Sequence, residues 1–592
     1  MNFTRYILPL AILALPCAVS AQDLHKEITV EQEIVPTKRD ASRIMLHPAV
    51  TLPPLKASSL AFSDRTVTTE VPNSLTILEP VAWGDRLYSS PYKGYVDLGL
   101  GGPLYNGLVS AGYRILDDDR TRLSIWGQYD GSIYKRDEYS GTDNKKWKNH
   151  TATAGIDLHR AVGTASFIDA GLDYTYSTHT VPCGMDTYTA PANRFNASAV
   201  FHSEAGGLAY AAGLTFRRFA FGRQRDLPEW ESNTQRLPNL PSSESPVYNY
   251  PHTSENLFKL TLDGSIASSD NSRAGLDVDA SFLRSSDFYN LVYPYRIDNF
   301  EWFSGKTTGL ITLTPYWHSR TDKVSLRIGA DVDIAFKSGN AFRFSPDVTF
   351  AWTPAQVFGL ELKAHGGSRL NPLSSLYDIT PYLSTVAAYT EMSRIPYAFD
   401  GKITLGRFLG TFLEISGGYA KADRWLMAAT GDYYPGGAGM FGVDLKGWHF
   451  GVAAGYDNGR NFSLKASWET APSKFNRAYY EWRDRARHVV NASLALRPVR
   501  PLLLEATYEF RTGRCEYAFE DQATEILGSY VYVPIRRSLK AVSDLSIGAS
   551  YEFNSAVTFF ARGENLMNRR WYHLGAAPSQ GLHGLVGVGV KF

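Results

Sequence analysis

Asp544-Leu-Ser-Ile-Gly-Ala-Ser-Tyr-Glu-Phe553 alternates without a break. Successive side chains of a strand point to opposite sides. Leu545, Ile547, Ala549, Tyr551 and Phe553 therefore share one face, and Asp544, Ser546, Gly548, Ser550 and Glu552 the other. The period recurs at the C-terminus, where Leu582, Val586, Val588, Val590 and Phe592 stand against His583, Gly587, Gly589 and Lys591. Near residue 123, Leu123, Ile125, Tyr129 and Ile133 alternate with Ser124, Trp126, Gln128 and Asp130. A soluble sandwich also alternates, but its polar face normally carries more Lys and Glu than these Gly-, Ser- and Asp-rich faces. A wall with lipid outside and water inside accounts for both.

The links between alternating stretches have their own rhythm. Short ones fall near Asp117-Thr121, Arg160-Thr164, Glu204-Gly207, Ser269-Arg273, Arg320-Lys323, Pro354-Val357, Phe408-Thr411, Asp457-Arg460, Pro498-Pro501 and Phe553-Ser555. Between them most connections are long, such as His179-Asn193, Ser368-Arg394, Lys421-Gly437 and Gly513-Arg537. Periplasmic turns and extracellular loops alternate in this way in outer-membrane barrels, and the series implies about 22 strands. The expected fold is thus all-β: one large transmembrane antiparallel β-barrel over residues 94–592, preceded by a short, mostly irregular segment.

Composition excludes the competing classes. A chain of 592 residues would by length alone suggest about four soluble domains. Lys and Arg exceed Asp and Glu by a net charge of only +1, so no charge excess recruits nucleic acid. The chain is 44% hydrophobic and 20% charged, which excludes global disorder. A mean hydropathy of −0.23 excludes a polytopic helical membrane protein but not a barrel, half of whose strand residues are polar.

Residues 1–21 read as a signal peptide. Arg5 supplies the positive start, Ile7 to Ala14 the apolar run, and Val19-Ser20-Ala21 the small residues before a cut at Gln22. Pro16 stands where a lipoprotein signal wants a small residue before Cys17. The expected location is the cell outer membrane of a Gram-negative bacterium, with the lipids of that membrane as one partner.

The C-terminal segment Val557-Thr-Phe-Phe-Ala-Arg-Gly-Glu-Asn-Leu-Met-Asn-Arg-Arg-Trp-Tyr572, followed by a last strand ending in Phe592, resembles the C-terminus of TonB-dependent receptors. Glu564, Asn565, Leu566, Asn568 and Tyr572 match their Glu-Asn-Leu-x-Asn-x-x-Tyr-like motif, with one extra residue before the Tyr. Phe592 matches the terminal aromatic recognised during barrel assembly in that family. The resemblance implies a 22-strand barrel. It also implies a folded N-terminal plug much longer than residues 22–93, and here the sequence departs: Pro36, Pro48, Pro53, Pro54, Pro72 and Pro80 punctuate that segment. A barrel without the plug would leave a wide aqueous pore. The expected occluders are residues 22–93, inward-folded loops, or a protein partner such as a lipoprotein or periplasmic subunit. Glu27-Ile28-Thr29-Val30-Glu31 is similar to a TonB box, by which receptors add a strand to TonB, and is also a short run of the kind any β-prone terminus contains.

No catalytic constellation is present. There is no His-Glu-x-x-His, Gly-x-Ser-x-Gly, Walker loop or Cys-x-x-Cys, and the His residues lack metal-ligand spacing. Gly437, Gly439 and Gly442 satisfy G-x-G-x-x-G, but they follow a loop and open a strand, where a dinucleotide site needs a strand before and a helix after. No enzyme activity, cofactor or metal is expected. Cys183 and Cys515 fall in extracellular connections, with their pairing left open. Recognition candidates are the aromatics of the long connections: Tyr293, Tyr295 and Trp302; Trp425, Tyr433 and Tyr434; and Tyr480 and Trp482 amid Arg477, Arg483 and Arg485. Two functions follow. One is a plug-less scaffold or receptor subunit of a cell-envelope complex; the alternative is a transporter or porin-like channel for solute uptake, occluded by its N-terminal segment, its loops or a partner.

Overall fold

The computed structural model describes residues 92–592 apart from 119, 136–145, 164, 184–185, 206, 223–253, 287, 291–300, 304–306, 338–340, 356, 389–391, 409, 431–437, 471–473, 476–485, 527–528 and 574–576. The leader expected at 1–21, the chain up to residue 91 and the pattern at Glu27 to Glu31 lie outside the described residues.

The barrel strands are β1 Gly94–Gly102, β2 Tyr105–Asp117, β3 Thr121–Lys135, β4 Lys146–Ala161, β5 Ser166–Cys183, β6 Asp186–Ala205, β7 Leu208–Phe221 and β8 Ser254–Ser269. There follow β9 Ser272–Ser285, β10 Thr307–Arg320, β11 Val324–Phe336, β12 Phe342–Ala355, β13 Phe358–Leu370, β14 Met392–Phe408, β15 Thr411–Thr430 and β16 Ala438–Asp457. The ring is completed by β17 Phe462–Thr470, β18 His488–Val499, β19 Leu502–Thr512, β20 Val542–Glu552, β21 Val557–Glu564 and β22 His583–Lys591. Each pairs antiparallel with its sequence neighbour. β22 closes on β1 in register from Tyr95 opposite Lys591 to Gly102 opposite Gly584. Two short pieces, Leu383–Ala388 and Lys474–Phe475, also hydrogen-bond to β16 and bring the sheet to 24 strands; the closed barrel itself has 22.

Exposure is inverted relative to a water-soluble protein. Leu100 (66%), Leu214 (64%), Phe344 (67%) and Val586 (66%) are among the most exposed apolar side chains. Opposed residues of an antiparallel pair share a face, so registers such as Val586 opposite Leu100, Leu98 opposite Val109 and Leu214 opposite Leu260 join these side chains into one outer belt. An apolar belt of that extent is stable only against lipid. The intervening residues, among them Asp97, Gln128, Asp157, Asp277 and Asp400, face the lumen. Ile547, Tyr551 and Phe553 of the opening stretch lie outward (47%, 45% and 65% exposed).

All ten short links fall where one barrel strand ends and the next begins. The long connections differ from expectation. His179-Asn193 is a continuation of β5 and β6, paired up to Cys183 opposite Asp186. Lys421-Gly437 begins as β15 and stays in strand to Thr430. Gly513-Arg537 forms a separate hairpin, Cys515–Ile526 with Ser529–Ser538. Cys183 and Cys515 thus lie on strands rather than in loops. The physical reason is length: a tilted strand crosses a bilayer in about 9–11 residues. β1 and β22 have 9 each, whereas β6, β15 and β16 have 20. The surplus, rich in β-branched Thr and Val between residues 178 and 189, keeps pairing beyond the membrane. Gly439 and Gly442 lie within β16, paired with Ala429 and Leu426, so no helix follows them.

Candidate functional site

The site is the lumen and its mouth on the side of the long connections. The lumenal wall is polar and paired in charge. Lys259 bonds Asp279 at 2.5 Å. Arg327 on β11 reaches Asp347 on β12 and Asp277 on β9, both at 2.8 Å, with its guanidinium 3.7 Å from the Tyr316 ring centroid. Glu361 holds Lys363 (2.6 Å) and Lys402 (3.0 Å), while Asp400 takes His365 (2.7 Å) and His449 (2.8 Å). These partners are a fifth to half exposed, so each pair contributes only about 0–1 kcal/mol. Their effect is a hydrated lining of mixed sign.

The mouth is different, because there the inner face turns apolar. Tyr134, Trp147, Val181, Tyr188, Ala190, Ala192, Phe219 and Phe221 continue the lumenal register above the polar wall, and all are buried. Two segments cover them.

The first is a strap between β13 and β14. Its strand bends inward at a bulge between His365 and Gly367, where Gly367 has φ 115°, a region that only glycine enters freely. Leu370 then packs on Leu310, Ala335 and Met392. After Pro372 comes a helix, α1, Leu373–Ile379. Leu373, Leu376 and Tyr377 sit at i, i+3 and i+4 and meet Phe219, Phe221 and Ala192. Several side chains of the wall tie the strap, Arg217 among them through the Ser374 hydroxyl at 3.4 Å. The Glu255 carboxyl accepts the Leu373 N–H at 2.9 Å; the Tyr377 and Ser177 hydroxyls bond at 2.8 Å; and Arg194 Nη1 donates to Asp378 at 2.7 Å. Burial raises the Tyr377 and Tyr382 phenols above their ordinary pKa.

The second segment joins β21 to β22, and the C-terminal motif builds its base. Glu564 accepts from His583 at 2.8 Å. Asn565, 1% exposed, donates to the Arg569 and Gln580 carbonyls and accepts the Arg569 N–H. Asn565 and Asn568 have φ of 46° and 48°, a region that Asn tolerates better than other non-glycine residues. Asn568 accepts the Leu582 N–H, the Leu566 N–H reaches the Leu545 carbonyl, and Tyr572 bridges Pro578. Arg514 donates to the Tyr572 carbonyl at 2.5 Å. The far end of the segment docks inside the mouth: the Tyr134 hydroxyl bonds the Pro578 carbonyl at 2.8 Å, and Ala577 is fully buried among Tyr134, Trp147, Val181 and Tyr382. The two segments meet where Tyr382 faces His573, their ring centroids 6.0 Å apart.

Phe592 lies at the opposite rim, stacked on Tyr113 at 6.3 Å, its backbone paired with Gly94. Of the aromatic candidates, only Trp425 is described in full: it lies half-buried in β15 under the Arg369 guanidinium, 4.3 Å from its ring centroid. Trp302 pairs through its backbone with Tyr289. Tyr293, Tyr295, Tyr433, Tyr434, Tyr480 and Trp482 lie outside the described residues. The mouth residues were not among the candidates, although Pro372 followed by Leu373, Leu376 and Tyr377 is a readable helix start with an apolar stripe.

The sequence matches no protein-family model, and no curated protein matches it. Solved structures do. The siderophore receptor PirA from Acinetobacter baumannii superposes with a TM-score of 0.62 at 8% identity, over 86% of this chain and 81% of that one. A mutant ferric enterobactin receptor (PfeA) from Pseudomonas aeruginosa, in complex with enterobactin, gives 0.60 at 11% identity over 84% and 81%. The FrpB iron transporter from Neisseria meningitidis gives 0.60 at 11% over 85% and 82%. At such identities the likeness is one of fold alone: this chain shares the large closed antiparallel β-barrel of those structures.

Proposed function

We propose that this chain is an outer-membrane uptake barrel, which admits a polar solute from the cell exterior through its lumen. The observation that carries the reading is the lining: a closed barrel with lipid outside and a hydrated wall of mixed charge inside is built to pass hydrophilic molecules. The fold shared with siderophore receptors and an iron transporter supports transport better than a purely scaffolding role. Small polar metal chelates, the class named by those structures, are the first solutes to test.

Reconstitution in planar bilayers and in liposomes tests the reading. Steady conductance, or accumulation of a labelled ferric chelate above protein-free liposomes, is the expected result. A barrel that neither conducts nor accumulates solute, with or without residues 22–91, refutes it. A protein partner on the periplasmic side, TonB through Glu27 to Glu31 or a lipoprotein, is a companion proposal. Mild-detergent purification that yields a lone barrel with no stoichiometric partner would refute that companion proposal without touching the uptake reading.

A further inference from the structure

We propose that the strap Leu373–Leu383, backed by the flanks Asn565–His573 and Ala577–Leu582 of the second segment, is a fixed constriction. It sets the size limit of the solute rather than opening to admit it. The inference rests on the uptake reading and concerns how that same lumen is restricted.

Burial argues against a lid. Leu373 (1% exposed), Leu376 (0%) and Leu383 (0%) are closed against Phe219 and Phe221. Lifting the strap would put all of them in water, and each fully buried leucine exposed lowers the open population by about one to two orders of magnitude. The three together make an open state about 10³- to 10⁶-fold rarer than the closed one, before Phe219, Phe221 and the polar ties are counted. The Leu373 N–H at the start of α1 is satisfied by Glu255, which is itself 1% exposed, so lifting the strap also breaks a buried hydrogen bond that the wall supplies. Asp378 is held by Arg194 and Tyr377 by Ser177, so both the middle and the end of the helix are tied as well.

The strap is also held from its other flank. Tyr382, 6% exposed, packs edge-on to His179 at 5.9 Å and faces His573 of the second segment. That segment is anchored in turn by Asn565, by Arg514 and by the Gln580–Asn106 bond at 3.0 Å. A lid would have to release two independently rooted pieces at once. Among the described residues the strap's ties fall on β3–β8, which leaves a solute the remaining wall, where Glu361 with Lys402 and Asp400 with His365 and His449 offer hydrated groups of both signs. A hydrophilic solute small enough to pass beside the strap is the class that fits.

A reporter cysteine separates the alternatives. Ser177→Cys is placed in a Cys183→Ser, Cys515→Ser background in the full-length barrel and treated with a membrane-impermeant maleimide. Thr175→Cys, 7% exposed and outside the Tyr377 hydrogen bond, serves as a second reporter. The expected result is protection of both in the intact barrel, with or without a permeating chelate. Replacing residues 373–382 by a Gly-Ser linker should make labelling fast and let larger polyethylene glycols enter the pore. Leu376→Glu provides a milder opening, and heat-modifiable migration verifies that each barrel is folded. Rapid labelling of the intact barrel, or labelling triggered by solute, means a moving lid and overturns the inference. Protected reporters with an unchanged polymer limit after strap removal also overturn it. Absence of conduction in every barrel, strapless ones included, instead defeats the uptake reading, and the size-limit role falls with it.

Discussion

Glu255 offers the sharpest test of how the strap is seated. Its carboxyl accepts the Leu373 N–H at 2.9 Å and also bonds the Ser374 backbone, in a setting where it is 1% exposed. Glu255→Ala leaves two buried N–H groups without an acceptor, at about 1–3 kcal/mol each, so docking should weaken by about 2–6 kcal/mol. At about 1.4 kcal/mol per factor of ten, opening should become about 30- to 10⁴-fold more frequent. Glu255→Gln keeps a carbonyl acceptor of nearly the same shape and should change opening by less than about tenfold. Hydrogen exchange of peptides covering residues 371–383, in detergent micelles, reads this directly, because local opening limits exchange there. Peptides from β2 and β3 are the internal control. If Glu255→Ala exchanged within about threefold of the parent, or if the barrel wall loosened equally, the seating argument would be wrong.

Three further outcomes are expected. Asn565→Ala removes three hydrogen bonds and places alanine at φ 46°, which should loosen the β21–β22 segment by about 3–5 kcal/mol and make it protease-sensitive while the barrel stays folded. Arg327→Ala leaves Asp277 and Asp347 in the lumen without their shared cation, so the reversal potential in a salt gradient should move toward cation selectivity; an unchanged potential would place those carboxylates off the conduction path. Tyr377 and Tyr382 have phenol pKa values raised above the free value of 10.0 by burial. An acid with a raised folded pKa contributes stability below its free pKa and loses it as pH climbs past that value, so the two tyrosines should make the strap's protection factor, which corrects exchange for its intrinsic pH dependence, fall as pH climbs past about 10.

The C-terminal motif illustrates how far sequence can be carried. Glu564, Asn565, Leu566, Asn568 and Tyr572 were readable as a family-like signature. Their geometry shows them building the foot of a segment that folds into the mouth. The aromatic connections illustrate the opposite. Residues 179–193 read as loop because a barrel strand needs only enough residues to cross lipid; pairing nevertheless continues while β-branched residues and an open partner edge remain.

Sequence alone determined the period of two, the ten short turns and hence the number of strands and the two-faced wall. These are local properties, written in neighbouring residues and repeated many times over. Tertiary structure decided what fills the mouth. Leu376 meets Phe219, Glu255 meets Leu373, and Ala577 meets Trp147 across separations of more than a hundred residues in the chain, and no local pattern encodes which inner-rim patch an apolar strap will cover. That choice depends on the curvature of the closed barrel, which brings β5–β8 within reach of a bend at Gly367.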